Sequence, residues 1–238
     1  MKMFSAAALL FVAAACHAAD VPTTGRPAAD TERDANRKPA EMLDFAGVKP
    51  GQTVIDYFPG GGYFTRIFAN AVGPSGQVWA VTPQVVLDRF ADRPRPKPVS
   101  SESGRSNVHE AIGAASMNVP VKADLVWTSQ NYHDIHIWGG EKGTAELNKA
   151  AFDALKPGGL YVVLDHAASP GVTEDLMKRQ HRIDEGLVKK EVEAAGFVFD
   201  SESQALRNPA DPHTANVFDA SIRGKTDQFI LRFKKPAK

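Results

Sequence analysis

Four groups of polar residues in this chain carry the types that proton chemistry needs. His133, Asp134 and His136 follow the apolar run 123–128, and Asp165 and His166 close the run 160–164. His181 and Arg182 sit inside a helical pattern, and Asp211, His213, Arg223 and Lys225 are spread along a polar stretch near the C-terminus. A histidine beside a carboxylate can take a proton from a substrate nucleophile while the carboxylate fixes its tautomer. On that ground His133, His166 and Asp134 are the candidate catalytic groups. His181, Arg182, His213, Arg223 and Lys225 are the candidate substrate contacts. The same residues also suit a bland reading: histidines that bond the backbone of a polar loop, a strand-terminal turn at 165–166, and a solvated helix face at 181–182. His133, His136, His166 and His213 could converge on a metal, but no pair has an established ligand spacing, so no metal site is expected.

A second stretch could hold a ligand. Val54-Ile55-Asp56 is an apolar run ending in an acid, and Gly60, Gly61 and Gly62 lead from it into a helical pattern at Tyr63-Phe64-Thr65. Glycines at such a junction let backbone N–H groups approach a ligand, and the helix N-terminus adds further donors. A tight strand-to-helix turn without a ligand fits the same residues.

The elements that must position these groups alternate strand and helix. Short apolar strands are expected at 54–57, 77–81, 123–128 and 160–164, with a weaker one at 107–112. Helices are expected from Pro39 to Gly47, from Tyr63 to Val72, near 83–90, from Glu141 to Leu155, and over 173–195 with a break near Ile183-Asp184, where Asp184 can cap a second segment. Residues 92–106 are proline-rich and polar and read as an exposed insertion. Strands at 197–201 and 229–233 close the chain, and the loop of about 204–228 between them is long enough to fold over the strand ends as a lid. Residues 20–36 read as a flexible leader and 37–235 as a single α/β domain with a doubly wound sheet, whose ligands bind at the carboxyl ends of the strands.

Val54-Ile55-Asp56 with the glycine loop, Ala123-Asp124-Leu125-Val126-Trp127-Thr128, Leu155-Lys156-Pro157-Gly158-Gly159-Leu160 and Glu193-Ala194-Ala195-Gly196-Phe197 together resemble class I S-adenosylmethionine-dependent methyltransferases. More closely, the chain resembles a family of predicted bacterial methyltransferases with signal peptides. That likeness rests on Asp56-(x)2-Pro59-Gly60-Gly61-Gly62-Tyr63-Phe64-Thr65, Asn131-Tyr132-His133-Asp134, Asp165-His166, His181-Arg182-Ile183-Asp184, and Asp211-Pro212-His213 through Arg223-Gly224-Lys225-Thr226-Asp227. The resemblance implies a Rossmann-like sheet of seven strands, the last antiparallel, with S-adenosylmethionine across the ends of strands one, two and four. Asp56 and the backbone of Gly60 to Gly62, with Thr65 in the same motif, would face the amino-acid part of the cofactor. Thr82 would lie by the ribose and Asn131 by the transferring methyl. The sequence departs from the family at two positions. Phe58 stands at the first glycine of Asp-x-Gly-x-Gly-x-Gly, and Thr82 stands where an acidic residue usually takes both ribose hydroxyls.

The chain has 238 residues, 43% of them apolar, and a formal net charge of zero. That is enough for one sizeable core, and it gives no basic surface for nucleic acid or membrane. Aromatics are few and not interleaved with basic residues, so nucleic-acid binding is not expected. There is no Gly-x-Ser-x-Gly elbow and no phosphate loop, which leaves hydrolase and ATPase readings unsupported. Residues 1–19 read as a signal peptide: Lys2, an apolar run, and Ala18-Ala19 before Asp20. The run is too short to span a membrane. Cys16, the single cysteine, lies in this segment and offers lipoprotein anchoring as an alternative. The sequence thus reads as an exported, periplasmic methyltransferase acting on an unidentified small molecule. An exported small-ligand-binding protein on the same fold is the alternative.

Overall fold

The computed structural model of the chain describes residues 21–114 and 116–237. The expected signal peptide and Cys16 lie outside the described residues. Two one-turn helices, α1 (Ala28–Thr31) and α2 (Asp34–Arg37), lead into α3 (Pro39–Ala46). This stretch, expected to be a flexible leader, is instead docked. Arg26 grips Asp34 with two hydrogen bonds of 2.9 and 2.6 Å, Tyr63 donates to the same carboxylate at 2.7 Å, and Arg66 reaches Asp30 at 2.9 Å. Pairs spread over this distance in the chain leave no mark in local composition. Pro39 opens α3 at its first position, and Gly47 closes it in the left-handed conformation.

The alternation then proceeds as β1 (Thr53–Tyr57), α4 (Tyr63–Val72), β2 (Gln77–Pro83), α5 (Gln84–Arg89), β3 (Val108–Gly113), β4 (Ala123–Ser129), α6 (Tyr132–Ala154) and β5 (Leu155–His166). It ends with α7 (Glu174–Gln180), α8 (Glu185–Ala194), β6 (Val198–Ser203) and β7 (Gln228–Lys234). Helix α6 starts at Tyr132 rather than at the expected Glu141, and is broken at Gly140 (φ 61°, ψ −159°). The glycine pair at 139–140 hides the first segment, whose Tyr132, His133, Ile135 and His136 are all buried. The break expected near Ile183 is present: Thr173 caps α7, and the Asp184 carboxylate accepts from Gly186 N–H at 2.8 Å to cap α8.

The seven strands lie in the order β3-β2-β1-β4-β5-β7-β6. The first five are parallel, while β7 runs antiparallel to both β5 and β6. This is the α/β sheet that the sequence leads one to expect. Alternating strand residues feed two cores. Val54, Val162 and Leu164 pack with Met42, Phe64, Ile67 and Phe68 on one face. Ile55, Tyr161 and Val163 pack with Tyr132, Leu147 and Val188 on the other. Each large apolar side chain buried here stabilises the fold by about 2 kcal/mol. The strand order reverses at β1, between β2 and β4, so the crevice above those strand ends is the natural ligand site.

Candidate functional site

The turn leaving β1 shows what the glycines are for. Phe58 adopts φ 61° and Gly60 φ 56°, so a phenylalanine occupies a left-handed conformation at the position where the related pattern has glycine. Phe58 is held there by its N–H bond to Val81 O at 2.8 Å and by packing near Trp138. A Cβ built on Gly60 or Gly61 meets nothing within 4 Å, whereas one on Gly62 would collide with Val99 Cγ2. Gly60 and Gly61 therefore border open space, and Gly62 permits close packing of the proline-rich segment. That segment is exposed over residues 91–98, as expected of an insertion, and it also forms one wall of a cavity of about 1010 Å³. Phe58, Gly60, Thr65, Thr82, Phe90 and Glu110 line its other sides.

Asp56 lies beneath this turn, 3% exposed, and accepts from Thr65 Oγ1 at 2.6 Å. Burial pushes its carboxyl up to about 7, partly offset by the Thr65 bond and the Arg37 charge. Arg37 packs over the Tyr63 ring at 4.7 Å and donates to Gln130 Oε1 at 2.6 Å. Burial, reinforced by the charge of Arg33, brings its guanidinium down to about 10.

A second constellation sits over the ends of β4 and β5. Asp165 is fully buried and accepts three bonds: from His133 Nδ1 at 2.8 Å, His133 N–H at 2.8 Å and His166 N–H at 2.7 Å. Burial opposes a charge on His133, but the charge of Asp165 and its hydrogen bond more than offset this and raise the imidazole above its ordinary value. With Nδ1 committed to Asp165, His133 Nε2 is left buried without a hydrogen-bond partner. It faces Asp134 Oδ1 at 3.5 Å, and His181 Nδ1 approaches the same oxygen at 3.5 Å. These three side chains bring their ligand-type atoms within 4.8 Å of one another and could hold a metal ion.

His166 is less suited to the role expected of it. Burial, with the charges of His133 and Arg182, lowers it to about 3 despite Asp165, so it is uncharged at neutral pH and a weak base. Thr226 Oγ1, 2.8 Å from Nδ1, ties it to the closing loop. Asn131, expected near a methyl group, is spent internally. It bonds Thr128 Oγ1, Phe58 O at 3.1 Å and Ser129 O at 2.9 Å, and so pins the end of β4 to the turn after β1.

The expected substrate contacts separate. His181 joins His133 and Asp134, its ring 5.1 Å from that of Phe218. Arg182 does not: it is fully buried and grips Asp211 through two bonds of 2.8 and 3.1 Å, as well as the carbonyls of Ala167 and Ala215. His213 bonds Asp227 at 3.0 Å within the closing loop. Arg223 and Lys225 are exposed on that loop. The loop is anchored by these pairs, and its Thr226 and Phe218 reach His166 and His181 beside the ends of β4 and β5. Sequence reasoning missed Glu110 and Arg37. Glu110 stands on β3 beside Ala80 of β2 and lines the cavity with Thr82, where the expected acid is missing. Its only local signal is one acid in a half-buried strand. Arg37 lies between the stretch that reads as leader and the first expected helix, and carries no motif.

No family model matches the chain. It is 29% identical over 124 residues to a protein-L-isoaspartate O-methyltransferase from Pyrococcus horikoshii, a match covering 52% of this chain and 49% of that one, so the chain spans about half the length of this relative. A SAM dependent methyltransferase from Aquifex aeolicus superposes with a TM-score of 0.54 at 17% identity, over 85% of this chain and 97% of that one. A protein from Bordetella parapertussis described as a possible exported protein superposes with a TM-score of 0.53 at 15% identity, over 87% of this chain and 68% of that one. The chain has the class I methyltransferase fold. Within it, the open space over Gly60 and Gly61 and the size of the cavity fit a ligand of the dimensions of S-adenosylmethionine. Thr82 and Glu110 place a hydroxyl and a carboxylate on the wall of this cavity. No helix among the described residues is long and apolar enough to cross a membrane.

Proposed function

We propose that the chain is an S-adenosylmethionine-dependent methyltransferase acting on a small molecule in the cell envelope. The observation that carries this reading is the cavity lined by Gly60, Thr65, Thr82 and Glu110 at the ends of β1, β2 and β3, whose Phe58 wall is tied to the end of β4 by Asn131. The cofactor, when bound, supplies an electrophilic methyl group. Gly60 and Gly61 let the backbone approach it, Thr65 and Asp56 set the shape of the turn, and Thr82 with Glu110 takes the ribose. Asp165 holds His133 in the tautomer whose Nε2 carries the lone pair, so Nε2 accepts the proton of a hydroxyl or amine acceptor as the methyl is transferred. Asp134 and His181 face the same point and orient the acceptor. The Pyrococcus relative, an O-methyltransferase by name, supports a methyl-transfer reading. The signal-peptide pattern of residues 1–19 supports export to the periplasm.

Calorimetric titration with S-adenosylmethionine and S-adenosylhomocysteine tests the reading. One-site binding is expected. Gly60→Val is expected to weaken it at least tenfold, about 1.4 kcal/mol, because the new side chain enters the cavity that Gly60 lines, at a cost of about 1 kcal/mol in stability from its left-handed backbone. Glu110→Gln is expected to weaken binding to a smaller extent. Absence of binding at millimolar cofactor would remove the proposal.

A further inference from the structure

The two uncommitted imidazole nitrogens in the second constellation have a common target. His133 Nε2 and His181 Nδ1 are both buried and without hydrogen-bond partners, and each lies 3.5 Å from Asp134 Oδ1. That separation is long for a charge-assisted hydrogen bond, which closes to about 2.8 Å. These two separations match the edges of a four-coordinate site, about 3.4 Å for metal–ligand distances of about 2.0–2.1 Å, and all three ligand atoms lie within 4.8 Å of one another. We propose that His133 Nε2, Asp134 Oδ1 and His181 Nδ1 form a binding site for one divalent transition-metal ion of the zinc type, with a fourth position open.

The surroundings suit the assignment. The far nitrogen of His133 is bonded to the buried Asp165, whose other oxygen is held by His133 N–H. A carboxylate behind a ligating histidine sets its tautomer and orients its ring. His133 and Asp134 come from the first turn of α6, and His181 comes from the residue closing α7, so the site links two helices. His181 holds its ring there from a left-handed backbone (φ 53°), a conformation unfavourable for histidine by about 1 kcal/mol. Two imidazoles and one carboxylate favour zinc, cobalt or iron over magnesium or calcium, which prefer sets made of oxygen alone. Three protein ligands with an open position are the arrangement of catalytic rather than structural zinc. Ion and proton are alternatives at His133 Nε2. A bound ion would lower the pKa of an acceptor oxygen or sulfur at the open position, so that its proton would be lost to water before methyl transfer.

The test needs neither cofactor nor acceptor, so its outcome is independent of methyl transfer. Untagged protein freed of metal with a chelator is titrated with Co²⁺ and followed by visible absorption. One equivalent is expected to produce the intense bands of a four-coordinate site, and Zn²⁺ is expected to abolish them. His181→Ala, at a partly exposed position, is expected to remove the bands without loss of thermal stability, and His181→Gln serves as a second variant. Asp165→Asn is expected to weaken binding by about 10–100-fold. His136→Ala, in the same helix but outside the cluster, is expected to leave the bands unchanged. No bands at one equivalent, or bands that survive both His181 variants in folded protein, would overturn the site.

Discussion

Replacing Arg182 by methionine is expected to cost about 3–5 kcal/mol of unfolding free energy, which is a large part of the stability of a domain this size. The side chain is fully buried and makes four hydrogen bonds, two to Asp211 and one each to Ala167 O and Ala215 O. Methionine fills much of the volume but leaves the Asp211 carboxylate buried without its counter-charge, which is the expensive part of breaking such a pair. Asp211 keeps only the N–H groups of His213, at 3.1 Å, and Asp227, at 2.7 Å. Because Arg182 follows α7 and Asp211 lies in the loop between β6 and β7, the variant also loosens that loop from the end of β5. Urea unfolding measures the loss. The double variant Arg182→Met with Asp211→Asn is expected to recover part of it, since the orphaned charge is then gone. A single variant within about 1 kcal/mol of the parent would show that the pair does not anchor the loop.

Asp56 leads to the second large effect, one of pH. Its carboxyl is held up at about 7 by burial, against an ordinary value of 3.8. A carboxyl whose value is raised on folding favours the folded state when protonated. Its contribution is complete below about 3.8 and is lost as pH rises through 7. The loss attributable to Asp56 across that range is on the order of 4 kcal/mol, since a tenfold change in proton affinity is worth about 1.4 kcal/mol. His133, also raised, acts with the same sign near neutrality, and His166, held low, acts with the opposite sign in acid. The clean measurement is therefore a difference. Asp56→Asn keeps an acceptor for Thr65 Oγ1 and removes the titration. The unfolding free energy of the parent is expected to fall relative to the variant from about pH 4 to 7, and the gap is expected to level off above about 8. A gap that does not change with pH would mean that Asp56 is ionised at its ordinary value in the fold.

The residues of the site divide by how far apart their partners are. The glycine loop after β1 was legible because turn chemistry is local: Gly60 needs a left-handed backbone, and it follows an apolar run and precedes a helix. Phe58 was visible as a departure, but only the structure shows it adopting φ 61° itself, held by the Val81 bond and packed near Trp138. Asn131 and Thr82 stood where the family pattern puts them. Their roles differ because Asn131 is consumed by Phe58 O and Thr128, while Thr82 remains at a cavity wall whose carboxylate comes from the neighbouring strand, at Glu110.

By itself the sequence determined the alternation of strand and helix, the cap at Asp184, the break between α7 and α8, and the position of the loop at the switch point. Each rests on periodicity or on a hydrogen bond spanning a few residues. Only the tertiary structure decided which polar residues meet. His133, in the first turn of α6, and His181, after α7, are separated by the rest of α6, β5 and α7, and they face one carboxylate because β4 and β5 pair in parallel register and end at the same edge. Arg182, next to His181 in sequence, turns the other way into the protein and meets Asp211. The leader docks because Asp34 finds Tyr63 and Asp30 finds Arg66. Such pairings depend on crossovers and loop paths, and no local pattern records them.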